Sequence, residues 1–353
     1  MSANNIFEII KDYQCDYQDR KFDLSPEHVQ HWADQFGDES EFVLSELFHF
    51  IPEIYISKEK AKELLLARLK HFQLYYKYNT MNELIINSHF FDVQKPEKSQ
   101  GELLNLIDEI LQQEHFIEYK SFQNNTKKHF IYFDDLLATG GTIFKDLKNW
   151  LEDESNGKKN YDALLEREIT LAVSLFCCHS LGFSNIEWQL MKLTSDDIKK
   201  LMYFKSDYII ENNLKTKWIA ESQRLNCAFP IDEQSKNVKE YFNSLAAEKT
   251  SFPAFRPRTL PKIETFFSSP ENRIKLENLF VEKGIELLNK IKSDNPDQRK
   301  RPLGDTVRSH KTLGTGTLFF TWRNISNTCP LVFWWDVHGH DWMPLFCLKN
   351  RGV

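Results

Sequence analysis

The chain has 353 residues, of which 41% are apolar and 27% charged, and its net charge is −6. That length is enough for a sizeable core in one large domain or two, and no stretch approaches the ~20 consecutive apolar residues of a membrane span. The negative balance argues against broad binding to a phosphate backbone, which needs clustered Lys and Arg.

Residues 1–85 read as mainly helical. The opening Met1-Ser2-Ala3-Asn4-Asn5-Ile6-Phe7-Glu8 lacks the basic region and apolar run of a secretory signal, so a cytoplasmic location is expected. Ser25-Pro26 is a helix start, with Val29, Trp32 and Phe36 at helical spacing behind it. A second helix is expected after Ser57, with Ala61, Leu64, Leu65, Leu69 and Phe72 as its apolar stripe. This segment groups no reactive side chains and reads as a helical cap.

Residues 86–230 change period. Ile85-Ile86 and Phe90-Phe91-Asp92-Val93 are short apolar runs of strand type, followed by a loop from Gln94 to Gly101. Leu103, Leu106, Ile107, Ile110 and Leu111 then mark an amphipathic helix. His129–Phe133 reads as a buried strand, Thr139–Thr142 as a tight turn, and Ile143, Phe144, Leu147, Trp150 and Leu151 as one helix face. Glu168–Cys178 is a further strand, ending in Cys177-Cys178. With Cys15, Cys227, Cys329 and Cys347 these make six cysteines and no C-x-x-C pair, a usage suited to reducing surroundings. Alternating strands and helices imply a parallel sheet with right-handed crossovers, whose ligands bind outside the carboxyl ends of the strands.

Residues 231–353 read as a C-terminal extension closing the site. Polar helices are expected around Asp196–Tyr203, just before this segment, and Gln234–Ala247. Ser269-Pro270 opens a long helix carrying Ile274, Leu276, Leu279, Phe280, Ile285, Leu288 and Ile291. Thr317–Trp322 and Leu331–Trp335 resemble an aromatic hairpin. The basic run Arg299-Lys300-Arg301, with Arg308 and Lys311, is by default a solvated linker, its sharper reading being a site for an anionic ligand or nucleic acid.

The chemistry concentrates in Ile131-Tyr132-Phe133-Asp134-Asp135-Leu136-Leu137-Ala138-Thr139-Gly140-Gly141-Thr142. A sugar phosphate needs several N–H groups converging at a helix N-terminus, where the macrodipole favours an anion and glycines allow close approach. Thr139-Gly140-Gly141-Thr142 offers these with two hydroxyls, and Asp134 and Asp135 supply acceptors for two ribose hydroxyls. Gly-Gly-Thr alone is an ordinary turn with a helix cap; joined to an apolar strand and two aspartates it becomes specific. A Walker-type loop needs a lysine where Thr142 stands, and G-x-G-x-x-G is absent. The combination therefore points to phosphoribosyl pyrophosphate (PRPP) or a close relative.

A second anion cradle would fall at Lys98-Ser99-Gln100, one strand earlier, with Lys95 adding charge. The competing reading is that Ser99-x-x-Glu102 is simply a capping box. His179, at the end of the next strand, is a candidate near the pyrophosphate or base, weighed against an ordinary packing histidine. His338 and His340 are crowded on one polar turn without a distant partner, so no metal site is expected there. Trp334, Trp335 and Trp342 read first as core. As a base-stacking lid they would act with Asn324 and Asn327 at a base edge.

The motif resembles the PRPP-binding segment of type I phosphoribosyltransferases: a short apolar strand, two acidic residues, three variable ones, then Thr-Gly-Gly-Thr. More of the chain resembles the PRTase-CE family of bacterial conflict systems, found beside retron and other antiphage modules. The matching pieces are Trp32–Phe36, Tyr55-Ile56-Ser57, Gln94–Gln100, the Asp-Asp motif, Arg301-Pro302-Leu303-Gly304, Asn324–Trp335 and Trp342–Phe346. The resemblance implies an α/β fold of type I phosphoribosyltransferase kind, a parallel sheet flanked by helices with a helical N-terminal region and C-terminal hood. It implies that Asp134 and Asp135 hold the ribose hydroxyls and Ala138–Thr142 the 5-phosphate. It also implies Mg²⁺ carried on the substrate near Asp134, and a toxic effector held inactive by partners such as a reverse transcriptase and its RNA–DNA product.

In such an enzyme a phosphoribosyl group is transferred or hydrolysed with pyrophosphate release. Positioning and charge stabilisation do most of the work, and the aspartates favour the developing sugar cation. A non-catalytic sensor or scaffold on the same fold is the alternative.

Overall fold

The computed structural model describes residues 2–17, 22–94, 98–119, 127–155, 157–194, 200–214, 224–245, 253–291, 297–336 and 341–348. In chain order the first elements are α1 (Ala3–Ile10), α2 (Pro26–Asp34), α3 (Ser40–Ile54), β1 (Tyr55–Ile56), α4 (Lys58–Tyr75) and α5 (Met81–Asn87). Next come β2 (Ser88–Phe90), α6 (Ser99–His115), β3 (His129–Leu137), α7 (Gly141–Glu152), β4 (Glu154–Ser155), β5 (Lys158–Lys159) and α8 (Asn160–Leu165). The chain continues with β6 (Thr170–His179), α9 (Ser180–Thr194), β7 (Met202–Ile210), α10 (Lys236–Ser244), α11 (Pro270–Asn289), β8 (Phe320–Thr321) and α12 (Leu331–Trp334). No helix among the described residues is long and apolar enough to cross a membrane.

The chain forms two compact units, residues 59–209 and residues 1–58 with 210–353. They divide at 58/59 and 209/210. The unit of residues 59–209 holds the four-stranded sheet, in the order β2-β3-β6-β7. β3 pairs in parallel with β2 on one side, Phe90 opposite Ile131, and with β6 on the other, from His129 opposite Thr170 to Leu137 opposite Cys178. A central strand buried on both faces needs a near-continuous apolar run, which Ile131–Phe133 and Leu171–Cys178 provide. One face packs on α7 and α9 through Tyr132, Leu147, Leu175, Ile186 and Leu190. Cys177 and Cys178 are buried within β6, and burial pushes the Cys178 thiol up to about 12.

In the other unit, Ser25 caps α2 by accepting the His28 N–H at 3.1 Å, and Ser269 caps α11 by accepting that of Asn272 at 3.1 Å, each with proline at the first helical position. Trp32, Phe280 and Phe333 meet in its core. A buried ionic group joins Arg273 to Glu264 at 3.2 Å and Arg256 to Glu277 at 3.1 Å.

Several local expectations fail. Ile85-Ile86 lie in α5, because Thr80 and Glu83 form a reciprocal capping box that starts a helix there, and short apolar runs do not by themselves separate helix from strand. The strand runs Ser88–Phe90, earlier than Phe90–Val93. Of the helix expected at Asp196–Tyr203, residues 196–199 lie outside the described residues, and Met202 and Tyr203 open β7. The aromatic hairpin is absent: Phe320-Thr321 pair in parallel with Tyr55-Ile56, and Leu331–Trp334 form a turn of helix after Pro330. All four residues of that turn are buried, so no alternation marks them as strand or helix. The basic run divides in the same unit. Arg299 is exposed and paired with Asp297, whereas Arg301 is buried and donates to backbone carbonyls of Gln298 and Lys300.

Candidate phosphoribosyl site

β3 continues through Leu137, so Asp134 and Asp135 stand within the strand, and alternation turns them to opposite faces. Asp134 shares its face with Tyr132 and is 5% exposed. Its Oδ1 accepts the Asp135 N–H at 2.9 Å, and its Oδ2 accepts from Gln94 Nε2 at 3.1 Å and from the Tyr132 hydroxyl at 3.3 Å. The Ser99 hydroxyl, at the start of α6, also bonds to it. Burial, and then the charge of Asp135, raise the Asp134 carboxyl to about 7. Tyr132 has one proton to give and is nearer to Asp146 of α7, at 2.9 Å; a proton on Asp134 supplies the donor this chain otherwise lacks. Burial also raises Asp146. Asp135 is half-buried on the other face.

The turn after β3 leads into the open first turn of α7. Gly140, at φ +87°, is the N-cap of α7, and a Cβ there would lie 2.7 Å from Ile186 Cγ1. Both facts demand glycine. The N–H groups of Gly141, Thr142 and Ile143 open the helix, where no intrahelical partner exists, and none has an acceptor among the described residues. Gly141 and Thr142 are exposed, Ala138 and Thr139 half-buried. Gly182 on α9 fixes the turn from behind: a Cβ would stand 2.0 Å from the Ala138 carbonyl oxygen and 2.7 Å from Leu137 Cδ2.

Of the second cradle, Lys98 is the N-cap of α6 without a side-chain cap bond, and Ser99 is its first helical residue. The expected Ser99–Glu102 capping box is therefore not formed. The Ser99 hydroxyl is engaged with Asp134 instead. Gln100 is fully buried. Its Oε1 accepts the N–H groups of Val93 and Gln94 at 2.9 and 3.2 Å, and its Nε2 donates to the Phe133 carbonyl at 3.4 Å. It thus ties the start of the loop to β3. Lys98 is exposed, and Lys95 lies outside the described residues.

His179 ends β6 at the same sheet edge as Leu137 and is completely buried, with its basicity driven down to about 3. It is a neutral imidazole inside the fold. His338 and His340 lie outside the described residues, and no group of three or more metal-ligating side chains occurs among those described. Trp334 and Trp335 are core, and Trp342 packs on Phe36 at 5.6 Å. Asn327 donates to Asp305 at 2.6 Å, while Asn324 accepts the Ile325 N–H.

Gln94, Tyr132, Asp146 and Gly182 were not singled out from sequence as parts of the site. Tyr132 and Asp146 carried a usable signal, one two residues before Asp134 on a strand and the other four after Thr142 on a helix. Nothing local marked Gln94 or Gly182.

A parallel sheet flanked by helices, with an acidic pair and a glycine turn at the carboxyl end of a central strand, defines a phosphoribosyltransferase-like α/β protein. The chain belongs to the PRTase-CE family, a phosphoribosyltransferase-like conflict-system domain whose family model matches residues 29–347. No curated protein and no solved structure matches it.

Proposed function

We propose that the chain binds PRPP, or a phosphorylated ribonucleotide close to it, and transfers or hydrolyses the phosphoribosyl group with release of pyrophosphate. In this reading it is the toxic effector of an antiphage defence system. The observation that carries it is the set of open first-turn amides at Gly141, Thr142 and Ile143, seven or so residues beyond an acidic pair on one strand. The 5-phosphate lies on these amides with the hydroxyls of Thr139 and Thr142 beside Ala138 and Gly140. Asp135 accepts from the ribose hydroxyls and favours the cationic sugar at the transition state. Asp134 works one step back, holding the Asp135 amide. Lys98 and the amide end of α6 face the pyrophosphate, with Ser99 and Gln100 fixing that end to β3. His179 supports the sheet edge from within.

Mg²⁺ keeps much of its shell and is held by one or two carboxylates plus substrate oxygens. Asp135 fits that role, while Asp134, whose oxygens are engaged by Gln94, Ser99 and the Asp135 N–H, does not fit as a direct ligand. When bound, the ion neutralises charge on the leaving pyrophosphate. A reverse transcriptase with its RNA–DNA product is the partner proposed from family membership.

The test is labelled PRPP with Mg²⁺, with and without nucleobases or RNA. Pyrophosphate release that Asp135→Asn lowers at least ~100-fold supports an enzyme. Tight PRPP binding without turnover supports a second reading, a sensor or scaffold in a defence complex. That reading is favoured by the occupation of the Asp134 and Gln100 side chains by the protein itself. No PRPP binding refutes both.

A further inference from the structure

We infer that Gln94 is a positioning residue that ties the segment following β2 to the acidic segment of β3 and to helix α7, placed above at the phosphate. The inference rests on the PRPP reading and goes beyond it, because no ligand-contacting role is given to Gln94.

The side-chain amide of Gln94 reaches polar groups on two elements. Its Nε2 lies 2.9 Å from the Tyr132 hydroxyl, 3.1 Å from Asp134 Oδ2 and 3.5 Å from Asp146 Oδ2. Tyr132 and Asp134 belong to β3 and Asp146 to α7. The backbone of Gln94 is held in turn, its N–H donating to the fully buried Gln100 of α6. From Gln94 the connection reaches both halves of the proposed site: through Asp134 Oδ1 to the amide of Asp135, and through Asp146 to the helix whose first turn receives the phosphate.

Charge explains why an amide stands here. Asp134 and Asp146 both present Oδ2 to this point, and Tyr132 has one proton for the two. An NH₂ group adds two donors without adding charge. A carboxylate in its place would have no hydrogen to give to Asp134 or Asp146, and a shortened or apolar side chain would leave their oxygens unmet. The consequence is directional. The Gln94 backbone is held by Gln100 of α6, whose amide end is placed on the pyrophosphate side, so loss of the Gln94 side chain loosens that side first, while the amides of Gly141–Ile143 keep their covalent place at the head of α7.

The experiment compares dissociation constants for PRPP and for ribose 5-phosphate, by calorimetry with Mg²⁺ present, in the full chain and in Gln94→Ala, Gln94→Glu and Asp146→Asn. Thermal melts confirm that each variant is folded. The expected result is a loss of PRPP affinity of about tenfold or more in Gln94→Ala, with a several-fold smaller loss for ribose 5-phosphate. Gln94→Glu, nearly identical in shape, should lose at least as much. Gln94→Ala combined with Asp146→Asn should lose less than the product of the two single losses, as members of one network do. Unchanged PRPP affinity in folded Gln94→Ala, or equal loss for both ligands, overturns the inference and leaves the proposed function standing. Failure of the unaltered chain to bind PRPP refutes the proposed function and the inference with it.

Discussion

Replacing Asp134 by Asn should change how the stability of the protein depends on pH. The Asp134 carboxyl is raised from an ordinary 3.8 to about 7, first by burial and then by the neighbouring charge of Asp135. Between those values the folded chain keeps a proton that the unfolded chain releases. Unfolding free energy therefore falls as pH rises across the window, and above about 7 the full cost of a buried charge is present. At ~1.4 kcal/mol per pH unit the whole window is worth about 4 kcal/mol, of which about 2–3 kcal/mol lies between pH 5 and pH 8. Asn at this position has nothing to ionise. Its oxygen can accept the Asp135 N–H, and its NH₂ can donate to the Tyr132 oxygen once Tyr132 gives its proton to Asp146. Urea unfolding of both proteins without ligand at pH 5, 6, 7 and 8 isolates this contribution, since the other titrating groups are common to the two. The gap in stability, Asn variant minus parent, should move in favour of Asn by about 2–3 kcal/mol over that range. A gap that stays constant, or moves the other way, would refute the claim that Asp134 is held protonated by its surroundings.

Other substitutions probe the frame around the site. Gly182→Ala brings a methyl to 2.0 Å from the Ala138 carbonyl; it should destabilise the chain by about 1–3 kcal/mol in thermal unfolding and weaken PRPP binding by shifting the turn. Gln100→Ala leaves the amides of Val93 and Gln94 without their acceptor; a loss of about 1–3 kcal/mol should come with faster hydrogen exchange at those two amides. Arg273→Met strands the buried carboxylate of Glu264 and leaves Glu277 with Arg256 alone. Urea unfolding should show a loss of about 3–5 kcal/mol, with the midpoint recovering partly at low pH as Glu277, whose carboxyl burial already raises, is protonated.

The sheet was legible because its code is local. Apolar runs before and after a glycine turn specify parallel strands around a helix, and Leu103, Leu106, Ile107, Ile110 and Leu111 bury as their spacing requires. Ser25-Pro26 and Ser269-Pro270 were legible for the same reason, since a cap acts over three residues. What the sequence hid depends on partners far along the chain. Phe320-Thr321 pair with Tyr55-Ile56, which no hairpin rule foresees. Gln94 acquires its meaning from Tyr132 and Asp146, and Gly182 from Ala138.

The acidic pair shows most sharply how a strand divides two neighbouring side chains. Two adjacent aspartates suggest two equal ligands for two ribose hydroxyls, and that holds only where the chain has left the sheet. Here β3 runs on to Leu137, so the period of two applies and the pair is split between faces. Asp134 meets Gln94, Tyr132, Ser99 and the Asp135 N–H, which between them occupy both of its oxygens. Asp135 lies half-buried on the opposite face, with its amide fixed by its neighbour. On the proposed reading one residue touches ribose while the other sets the geometry and absorbs a proton. Asp135→Asn should therefore act on turnover at every pH, whereas Asp134→Asn should act chiefly on how turnover varies with pH. If both variants flatten the pH profile of pyrophosphate release alike, that division of labour is wrong.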